Sequence, residues 1–436
     1  METYIRRGVA PASQEDSDGL IERARDEAIK VLRRCSHRMG FKASARVSGY
    51  PHVWARDSMI TLLGALFSDD PKVLRAAKAS LATLRGKQTD LGLIPNYVDT
   101  RSRKPSYHIY ADGGAWWVIG RAALFEVDDN LKSLREDWPS IEAVLHWYEY
   151  QDVDNSGLVA MQEAADWEDL FAVRGKGLTV NVLYCTALKK GAALARKLKK
   201  DTLVRRWSRK AAAVKRNMNE RLWYAGDADP ETLYLMYHGP WRSEIEKKRF
   251  RETVDRLVIP ANEQLPDERY YLPYITHYDF GEWFDSFGNL LALLSGVADK
   301  ERARDILHII EDHDLAERGP IVTIYPSIKP GDSDWRDYYG NFNLNLPDQY
   351  HNGGIWPFIG GFYVAALVKA GHNKKAREQL AALAALNHKG REIEWEFNEW
   401  YHGKNGRPMG KEEQAWSAGG YLFAYECVRR RRVPWF

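Results

Sequence analysis

The feature that most limits the fold is a helical period in the apolar residues along most of the chain. In one example, Val204, Trp207, Ala211 and Val214 recur at steps of three and four residues, which places them on one helix face. Segments of this kind predict twelve helices, at residues 17–38, 57–68, 71–86, 112–126, 129–150, 177–197, 201–222, 284–296, 299–313, 354–370, 373–387 and 414–429.

The predicted helices alternate between two kinds. GNLLALLSGVA and YLFAYEC are apolar on almost every side, whereas KKDTLVRRWSRKAAAVKRNMNE is charged over most of its circumference. A helix that is apolar all round is buried, and a half-charged helix faces water. The alternation therefore predicts an inner and an outer ring of six helices each. The predicted fold class is all-α, an (α/α)6 toroid barrel.

The chain contains no linker that would divide it into domains. No stretch rich in glycine, serine or proline interrupts its 436 residues. One long irregular segment, at about residues 223–283, lacks an apolar pattern that could form a core of its own, so it predicts a loop insertion. We therefore predict a single barrel domain over residues 1–436.

Composition excludes several classes of partner. The net charge is +3, and the 63 basic and 60 acidic residues are mixed along the chain, which argues against a nucleic-acid surface. No apolar run reaches the roughly 18 residues that cross a bilayer, and no secretory signal begins the chain. The scattered Cys35, Cys185 and Cys427 suit a reducing compartment, so the predicted location is cytoplasmic. No spacing of ligands predicts a metal, and no cofactor is expected.

Six segments rich in aromatic and polar residues lie between predicted helices, and in a barrel they would gather at one end. Each also has a structural explanation: an aspartate at a helix start can be a cap, an acidic run can be a solvated loop, and paired glycines can form a turn. The segments are YPHVWARDSM (50–59), GLIPNYVD (92–99), YADGGAWW (110–117), EAADWEDLF (163–171), PDQYHNGGIWPF (347–358) and FNEWYHGKNGRPMGKEEQAW (397–416).

Two of these segments place carboxyl groups beside indole rings. Acidic residues flank Trp167, and Glu399 precedes Trp400. A carboxyl group that loses water against an indole has a raised pKa and can hold a proton at neutral pH. Glycoside hydrolysis needs such a pair, one acid to protonate the departing oxygen and one carboxylate to activate water or attack the sugar. A sugar epimerase or isomerase is an alternative, although only His351 lies in a strong motif. A non-catalytic sugar-binding protein is another, which the two acids disfavour.

The motifs resemble those of a known family. YHNGGIWPFIGGFYVAALVKAG and NEWYHGKNGRPMGKEEQAWSAGGYLFA are similar to the C-terminal motifs of the neutral and alkaline invertases, and VWARDSMI, ADGGAWW, GKGLTVNVLYCTALK and FDSFGNLLALLSG match that family in order. VWARDSMI, GLIPN and QAWS also resemble the amylo-α-1,6-glucosidase domain of glycogen debranching enzymes. The bacterial hydrolases of mannosylglycerate and glucosylglycerate are more distant. The resemblance covers about residues 50–425.

The resemblance implies an (α/α)6 barrel and an inverting, exo-acting hydrolase of a small α-linked glucoside, either sucrose-like, α-1,6-linked or glycosylglycerate-like. It implies Glu399 as general base. A count back from Gly175 places the family acid near Glu168, between two candidates, of which Asp166 is favoured and Asp169 is second. Related enzymes are often homo-oligomers, but no segment here specifies an interface. The residues expected to contact the sugar are Trp54, Arg56, Asp57, Asn96, Asp112, Trp116, Trp167, His351, Asn352, Trp356 and Trp400.

Overall fold

A computed structural model describes residues 14–46, 49–108, 111–225, 243–254, 265, 268–277 and 279–436. All twelve helices predicted from the sequence are present, with ends that differ by a few residues. The described residues contain two further helices, Glu244–Val254, inside the stretch predicted as a loop insertion, and Asp337–Phe342, for which the sequence predicted no element. The helices are α1 Gln14–Cys35, α2 Ala55–Ala65, α3 Pro71–Arg85, α4 Gly113–Asp128, α5 Leu131–Tyr150, α6 Leu178–Lys197, α7 Asp201–Arg221, α8 Glu244–Val254, α9 Ser286–Ser295, α10 Lys300–Asp312, α11 Asp337–Phe342, α12 Pro357–Lys369, α13 Asn373–His388 and α14 Ala415–Arg430.

Short strands connect the helices. β3, β4 and β5 form a three-stranded sheet, and the others pair two by two, as β1–β2, β6–β9, β7–β8, β10–β11 and β12–β13, all antiparallel. The strands are β1 Ser36–His37, β2 Gly40–Phe41, β3 His52–Trp54, β4 Tyr97–Asp99, β5 Pro105–Ser106, β6 Lys176–Gly177, β7 Trp223–Ala225, β8 Arg269–Tyr271, β9 Tyr274–Ile275, β10 Phe284–Asp285, β11 Ile324–Tyr325, β12 Trp400–Tyr401 and β13 Pro408–Met409.

Six helices form a closed inner ring. In the order α2, α4, α6, α9, α12 and α14 each packs against the next, and α14 returns to pack against α2. Every residue of α2 is buried. In α9 and α12 every residue except the last, Ser295 and Lys369 respectively, is buried. The outer helices α1, α3, α5, α7, α10 and α13 pack behind this ring. The (α/α)6 barrel predicted from the alternation of apolar and charged helices is therefore confirmed.

Glycines let the inner helices approach one another closely. A Cβ on Gly64 of α2 would lie 1.9 Å from the carbonyl oxygen of Gly419 in α14. A Cβ on Gly361 of α12 would lie 2.4 Å from the carbonyl oxygen of Gly420, also in α14. Since real side chains do not come this close, these positions require glycine. The Gly-Gly pairs of SAGGYLFA and FIGGFY thus serve helix packing.

The segments that precede the inner helices are hydrogen bonded to one another at one end of the barrel. The backbone N–H of Ala55 donates to Asn96 O at 2.8 Å, and that of Ala111 donates to Ala165 O at 2.6 Å. Further round the ring, the N–H of Ile355 donates to Tyr401 O at 2.8 Å. These bonds join the six aromatic and polar segments in three pairs, and Arg56, which donates to Asp166 O, links two of the pairs. We call the region around Asp57, Asp169 and Glu399, whose charges act on one another, the crater.

The predicted insertion at 223–283 is described only in part. Its first strand, β7, pairs with β8 near its end, and α8 lies between them. Residues 226–242, 255–264, 266–267 and 278 lie outside the described residues. The single-domain assignment stays a prediction. Across the described ranges, no helix is both long enough and apolar enough to cross a bilayer.

Candidate active site

Glu399 lies at the crater, immediately before β12. The N–H of Lys411, on the far side of the β12–β13 hairpin, donates to its Oε2 at 3.0 Å. Only 6% of Glu399 is exposed. Burial raises its pKa to about 8, the Lys411 N–H opposes the rise, and the negative charges of Asp57 and Asp169 add to it. Glu399 therefore shares its surroundings with two other carboxyl groups.

Asp57 is one of those groups and belongs to the first turn of α2. Burial raises its pKa to about 7, the neighbouring Arg56 opposes the rise, and Asp169 and Asp112 add to it. An aspartate at a helix start commonly caps the helix. Here the residue before α2 is Trp54, so Asp57 is not the cap and its carboxyl group is left for the crater.

The loop 163–171, which we call the acid loop, carries three closely spaced candidates for the general acid, Asp166, Glu168 and Asp169. Asp166 is 1% exposed and accepts the N–H of Glu168 at 2.8 Å. Glu168 is also 1% exposed, and neither of its carboxyl oxygens has a hydrogen-bond partner among the described residues. The side chain of Asp169 is 21% exposed. Of the three, Asp169 is the one that reaches the solvent in the crater.

Electrostatic effects separate the three acids in the same way. Burial raises the pKa of Asp166 to about 8, with Asp112 as the next cause. Burial also raises the pKa of Glu168 well above its usual range, followed by repulsion from Asp285 and Asp166. Of these three acids, Asp169 is the one whose charge is among the causes that raise the pKa of Glu399. Asp166 and Glu168 therefore lie near Asp112 and Asp285, at the starts of α4 and α9, and Asp169 lies near the base.

Arg56 connects the acid loop to the start of α4. Its Nε and one terminal nitrogen donate to the carboxylate of Asp112, the second at 3.2 Å, and the same nitrogen donates to the backbone oxygen of Asp166 at 2.7 Å. A buried, bidentate pair of this kind is rigid. Asp112 thus holds Arg56, and Arg56 holds the beginning of the acidic run.

His351 is stacked between two aromatic rings. Its imidazole lies 4.9 Å from the Trp167 ring and 4.2 Å from the Tyr350 ring, at interplanar angles of 15° and 24°. Burial, followed by the positive charge of Arg56, holds the pKa of His351 well below its usual range, so the ring is neutral. Its Nε2 lies 3.8 Å from Asp169 Oδ1. His351 therefore stands beside the exposed acid.

The other predicted sugar contacts separate into two groups. Trp54 of β3 is partly exposed and lies 4.5 Å from the Tyr97 ring, and the Nδ2 of Asn96 has no hydrogen-bond partner among the described residues. The ring of Trp400 packs against Tyr350 at 5.8 Å. These three side chains lie at the crater. The Trp54 ring is partly exposed there, and the Asn96 side-chain nitrogen is unpaired among the described residues.

Other predicted contacts have structural partners instead. Trp116 is fully buried in α4 among phenylalanine rings of the barrel interior. Asn352 exchanges hydrogen bonds with the backbone of Ile328, at 2.7 and 2.8 Å, and donates to another loop carbonyl. Trp356 precedes α12, and its Nε1 donates to Tyr350 O at 3.0 Å. These side chains support the crater wall from behind.

Sequence reasoning missed two tyrosines at the site. Burial raises the pKa of Tyr50 above its usual range, and the charges of Glu399, Asp169 and Asp57 add to the rise. Tyr350 stacks on His351 and also feels Asp169 and Glu399. Both tyrosines lie in the aromatic and polar segments, but tyrosine is also common in buried cores, so its presence there does not by itself indicate a site. The available signal was their neighbours: Tyr350 directly precedes His351, and Tyr50 lies in the segment that contains Arg56 and Asp57.

Left-handed backbone conformations cluster in the loops of the crater. Outside glycine, positive φ occurs at Ala164 (60°) and Leu170 (63°) in the acid loop, at Asp348 (65°) and Tyr350 (48°), and at Phe397 (46°) two residues before the base. Such conformations persist where the surrounding structure holds them, and they are common at functional sites. The crater is therefore built from loops that tertiary contacts constrain.

Solved structures with a similar fold include glycoside hydrolases. The chain resembles the GH63 mannosylglycerate hydrolase from Thermus thermophilus in complex with glucose, with a TM-score of 0.60 and 17% identity over 92% of this chain and 99% of that one. It also resembles a bacterial glucoamylase complexed with acarbose, with a TM-score of 0.64 and 14% identity over 96% of this chain and 58% of that one. At these identities the likeness concerns the fold, the (α/α)6 barrel.

Relatives in sequence are invertases. Cytosolic invertase 1 of Oryza sativa subsp. japonica is 26% identical over 426 residues, which cover 88% of this chain and 72% of the relative. Alkaline/neutral invertase C, mitochondrial, of Arabidopsis thaliana is 24% identical over 333 residues, 73% of this chain and 48% of the relative, so the match spans about half of that protein's length. The family model for alkaline and neutral invertase matches residues 103–430.

The fold and the family model together define a glycoside hydrolase. More particularly, the chain belongs to the alkaline and neutral invertase family. The resemblance stated from the sequence motifs is confirmed, and membership of this family favours a hydrolase over the epimerase and the non-catalytic sugar-binding protein. The relatives include cytosolic and mitochondrial forms, so the cytoplasmic location stays a prediction, as does the homo-oligomer.

Proposed function

We propose that the protein is an inverting, exo-acting glycoside hydrolase in which Glu399 is the general base and Asp169 the general acid. The observation that carries the proposal is the shared electrostatic environment of Asp57, Asp169 and Glu399. Asp57 and Asp169 both raise the pKa of Glu399, and Asp169 raises the pKa of Asp57. Carboxyl groups that raise one another's pKa in this way lie near one another, and this proximity supports hydrolysis by two carboxyl groups.

The choice of Asp169 over Asp166 reverses the order that the sequence favoured. A general acid must reach the oxygen of the leaving group. Asp166 is buried behind the loop, where it accepts the N–H of Glu168. Asp169 is partly exposed, and it stands beside the neutral ring of His351. Glu168, onto which the family acid falls by counting, has a buried carboxyl group that faces Asp285.

The proposed reaction moves two protons. The Glu399 carboxylate takes a proton from a water molecule as the water oxygen bonds to the anomeric carbon on one face of the sugar. The bond from that carbon to the leaving oxygen breaks on the opposite face, and the Asp169 carboxyl group gives its proton to the departing oxygen. Attack on the face opposite the leaving group inverts the configuration. The products are one free sugar and one alcohol or second sugar.

Three side chains near the base would bind the terminal sugar. Asp57 presents a carboxyl group to the hydroxyls, and the Arg56 guanidinium, fixed by Asp112, lies next to it. Trp54 has a partly exposed indole face, which suits the apolar C–H face of a pyranose. This arrangement supports recognition of one sugar ring at a closed end, that is, exo-acting cleavage.

The proposed substrate is a small α-linked glucoside, with sucrose the first to test because the relatives are named as invertases. Isomaltose, maltose, a branched dextrin and glycosylglycerates complete the panel. Released monosaccharide identifies the substrate, and NMR of the first product identifies its anomer. A released β-anomer from an α-linked substrate supports inversion. An α-anomer would contradict the mechanism.

Four substitutions test the assignment of the two carboxyl groups. Asp169→Asn should slow the best glycoside by on the order of 100- to 10,000-fold, because that is the usual contribution of a general acid. It should spare the glycosyl fluoride of the same sugar, since fluoride departs without protonation. Glu399→Gln should abolish turnover of both. Asp166→Asn and Glu168→Gln are the matched controls. If Asp166→Asn alone reproduced the selective loss, the acid would be Asp166.

A further inference from the structure

Besides Arg56 and the backbone of Ala111, one further segment of the chain holds the acid loop. Residues 334–345, which include α11 and which we call the anchor segment, contact the loop at its start, near its end and just beyond its end. We propose that the anchor segment positions the general acid, with Asn345 as the central positioning residue. This inference rests on the proposed function, since it assigns a role toward Asp169.

Ionic contacts fix both ends of the loop. At the start, the guanidinium of Arg336 donates to both oxygens of Glu163, at 3.0 and 3.2 Å from Nε and 3.0 Å from a terminal nitrogen, and the hydroxyl of Tyr338 donates to the same carboxylate at 2.9 Å. Beyond the end, Arg174 donates to Asp334 at 2.9 Å. Bidentate arginine–carboxylate pairs restrain orientation as well as distance.

Asn345 holds the loop near its end, at the residue after Asp169. Its Nδ2 donates to the backbone oxygen of Leu170 at 2.6 Å, and its Oδ1 accepts the N–H of His351 at 3.0 Å. One buried amide therefore ties the residue after Asp169 to the residue that stands beside Asp169. Leu170 and His351 lie about 180 residues apart in the sequence, and the Asn345 side chain bonds to the backbone of both.

The backbone at Leu170 explains why a tether is needed there. Leu170 has a left-handed φ of 63°, which a residue other than glycine adopts at a cost of roughly 1–2 kcal/mol. A return of Leu170 to an ordinary conformation would rotate the peptide that follows Asp169 and move its carboxyl group. A displacement of about 1 Å in a catalytic group can reduce the rate on the order of 100-fold. The Asn345 amide opposes that change.

The test compares two substrates in the full-length protein. Asn345→Ala should reduce kcat for the best glycoside of the panel by roughly ten- to hundredfold. It should leave kcat for the glycosyl fluoride of the same sugar within about threefold, because fluoride needs no acid. Asn341→Ala is the matched control, an exposed asparagine in the same segment. Arg336→Gln, which removes the restraint on Glu163, should give a smaller loss with the same selectivity.

Each outcome decides the inference. An equal loss on both substrates, or no loss on either, would overturn it. If Asn345→Ala does not fold, as judged by its melting curve, the substrate selectivity of Arg336→Gln decides instead. The proposed function fails separately, when Asp169→Asn shows no selective loss and Glu399→Gln keeps full turnover. A selective loss in Asp169→Asn without one in either anchor variant would remove the positioning role alone.

Discussion

A single methyl group at Gly410 should displace the general base. Gly410 follows β13 with a left-handed φ of 69°, and a Cβ built there would lie 2.5 Å from Glu399 Oε2 and 2.6 Å from Glu399 Cβ. Ordinary van der Waals contact begins at 3.4 Å. The shortfall at the carboxyl oxygen is 3.4 − 2.5 = 0.9 Å. Gly410→Ala therefore requires Glu399 to move by nearly that amount.

The magnitude follows from this displacement. A catalytic group misplaced by about 1 Å can reduce the rate on the order of 100-fold, which corresponds to about 2.7 kcal/mol of activation free energy. The base acts on water and is needed whatever group departs. Gly410→Ala should therefore lower kcat about equally for the best glycoside and for the glycosyl fluoride, by roughly 100-fold. This pattern differs from the selective loss expected at Asn345.

Gly406 supplies a matched control from the same hairpin. It has a left-handed φ of 64°, and the only described atom near an added Cβ is the Lys389 Nζ at 3.9 Å. Gly406→Ala introduces the same backbone strain, roughly 1–2 kcal/mol of stability, without contact to the base. Gly410→Ala should melt at a lower temperature than Gly406→Ala, because only its added Cβ is overpacked, and activity measured well below both melting temperatures should be lost only in Gly410→Ala. Equal activity in the two variants would refute the reasoning.

Two predictions concern pH. Burial raises the pKa of Glu399 to about 8, and a base must be deprotonated, so the rising limb of kcat/KM against pH should have its midpoint near pH 8. A rising limb with its midpoint below pH 6 would contradict the assignment. The same group should cost stability at high pH. Since its pKa is raised from 4.5 to about 8, the stability that it contributes is present below pH 4.5 and lost as pH rises through 8. At pH 9, the free energy of unfolding of Glu399→Gln should therefore exceed that of the wild type by on the order of a few kcal/mol, and the two should match below about pH 4. Equal midpoints at both values would show that Glu399 carries no buried charge.

Periodicity predicted the barrel because each helix reports its own surroundings. An inner helix such as α9 is buried on every side and needs apolar residues throughout, whereas α7 must cover the ring with one face only. α11 escaped prediction since its six residues, DYYGNF, are too few to display a period. α8, EIEKKRFRETV, is charged on most sides and falls in the irregular stretch that the sequence predicted as a loop.

The acid loop could not be resolved from the sequence for a different reason. Three carboxyl groups fall within four residues, and which of them faces the crater depends on the backbone direction at each position. Left-handed residues at Ala164 and Leu170 set that direction, and neither leucine nor alanine indicates such a conformation. The contacts that hold it come from the anchor segment, about 170 residues away, through Arg336 and Asn345. Glu399 is different, because the short β12–β13 hairpin fixes it locally, and its neighbours in sequence are its neighbours in space. The base therefore follows from a local motif, while the identity of the acid depends on long-range contacts.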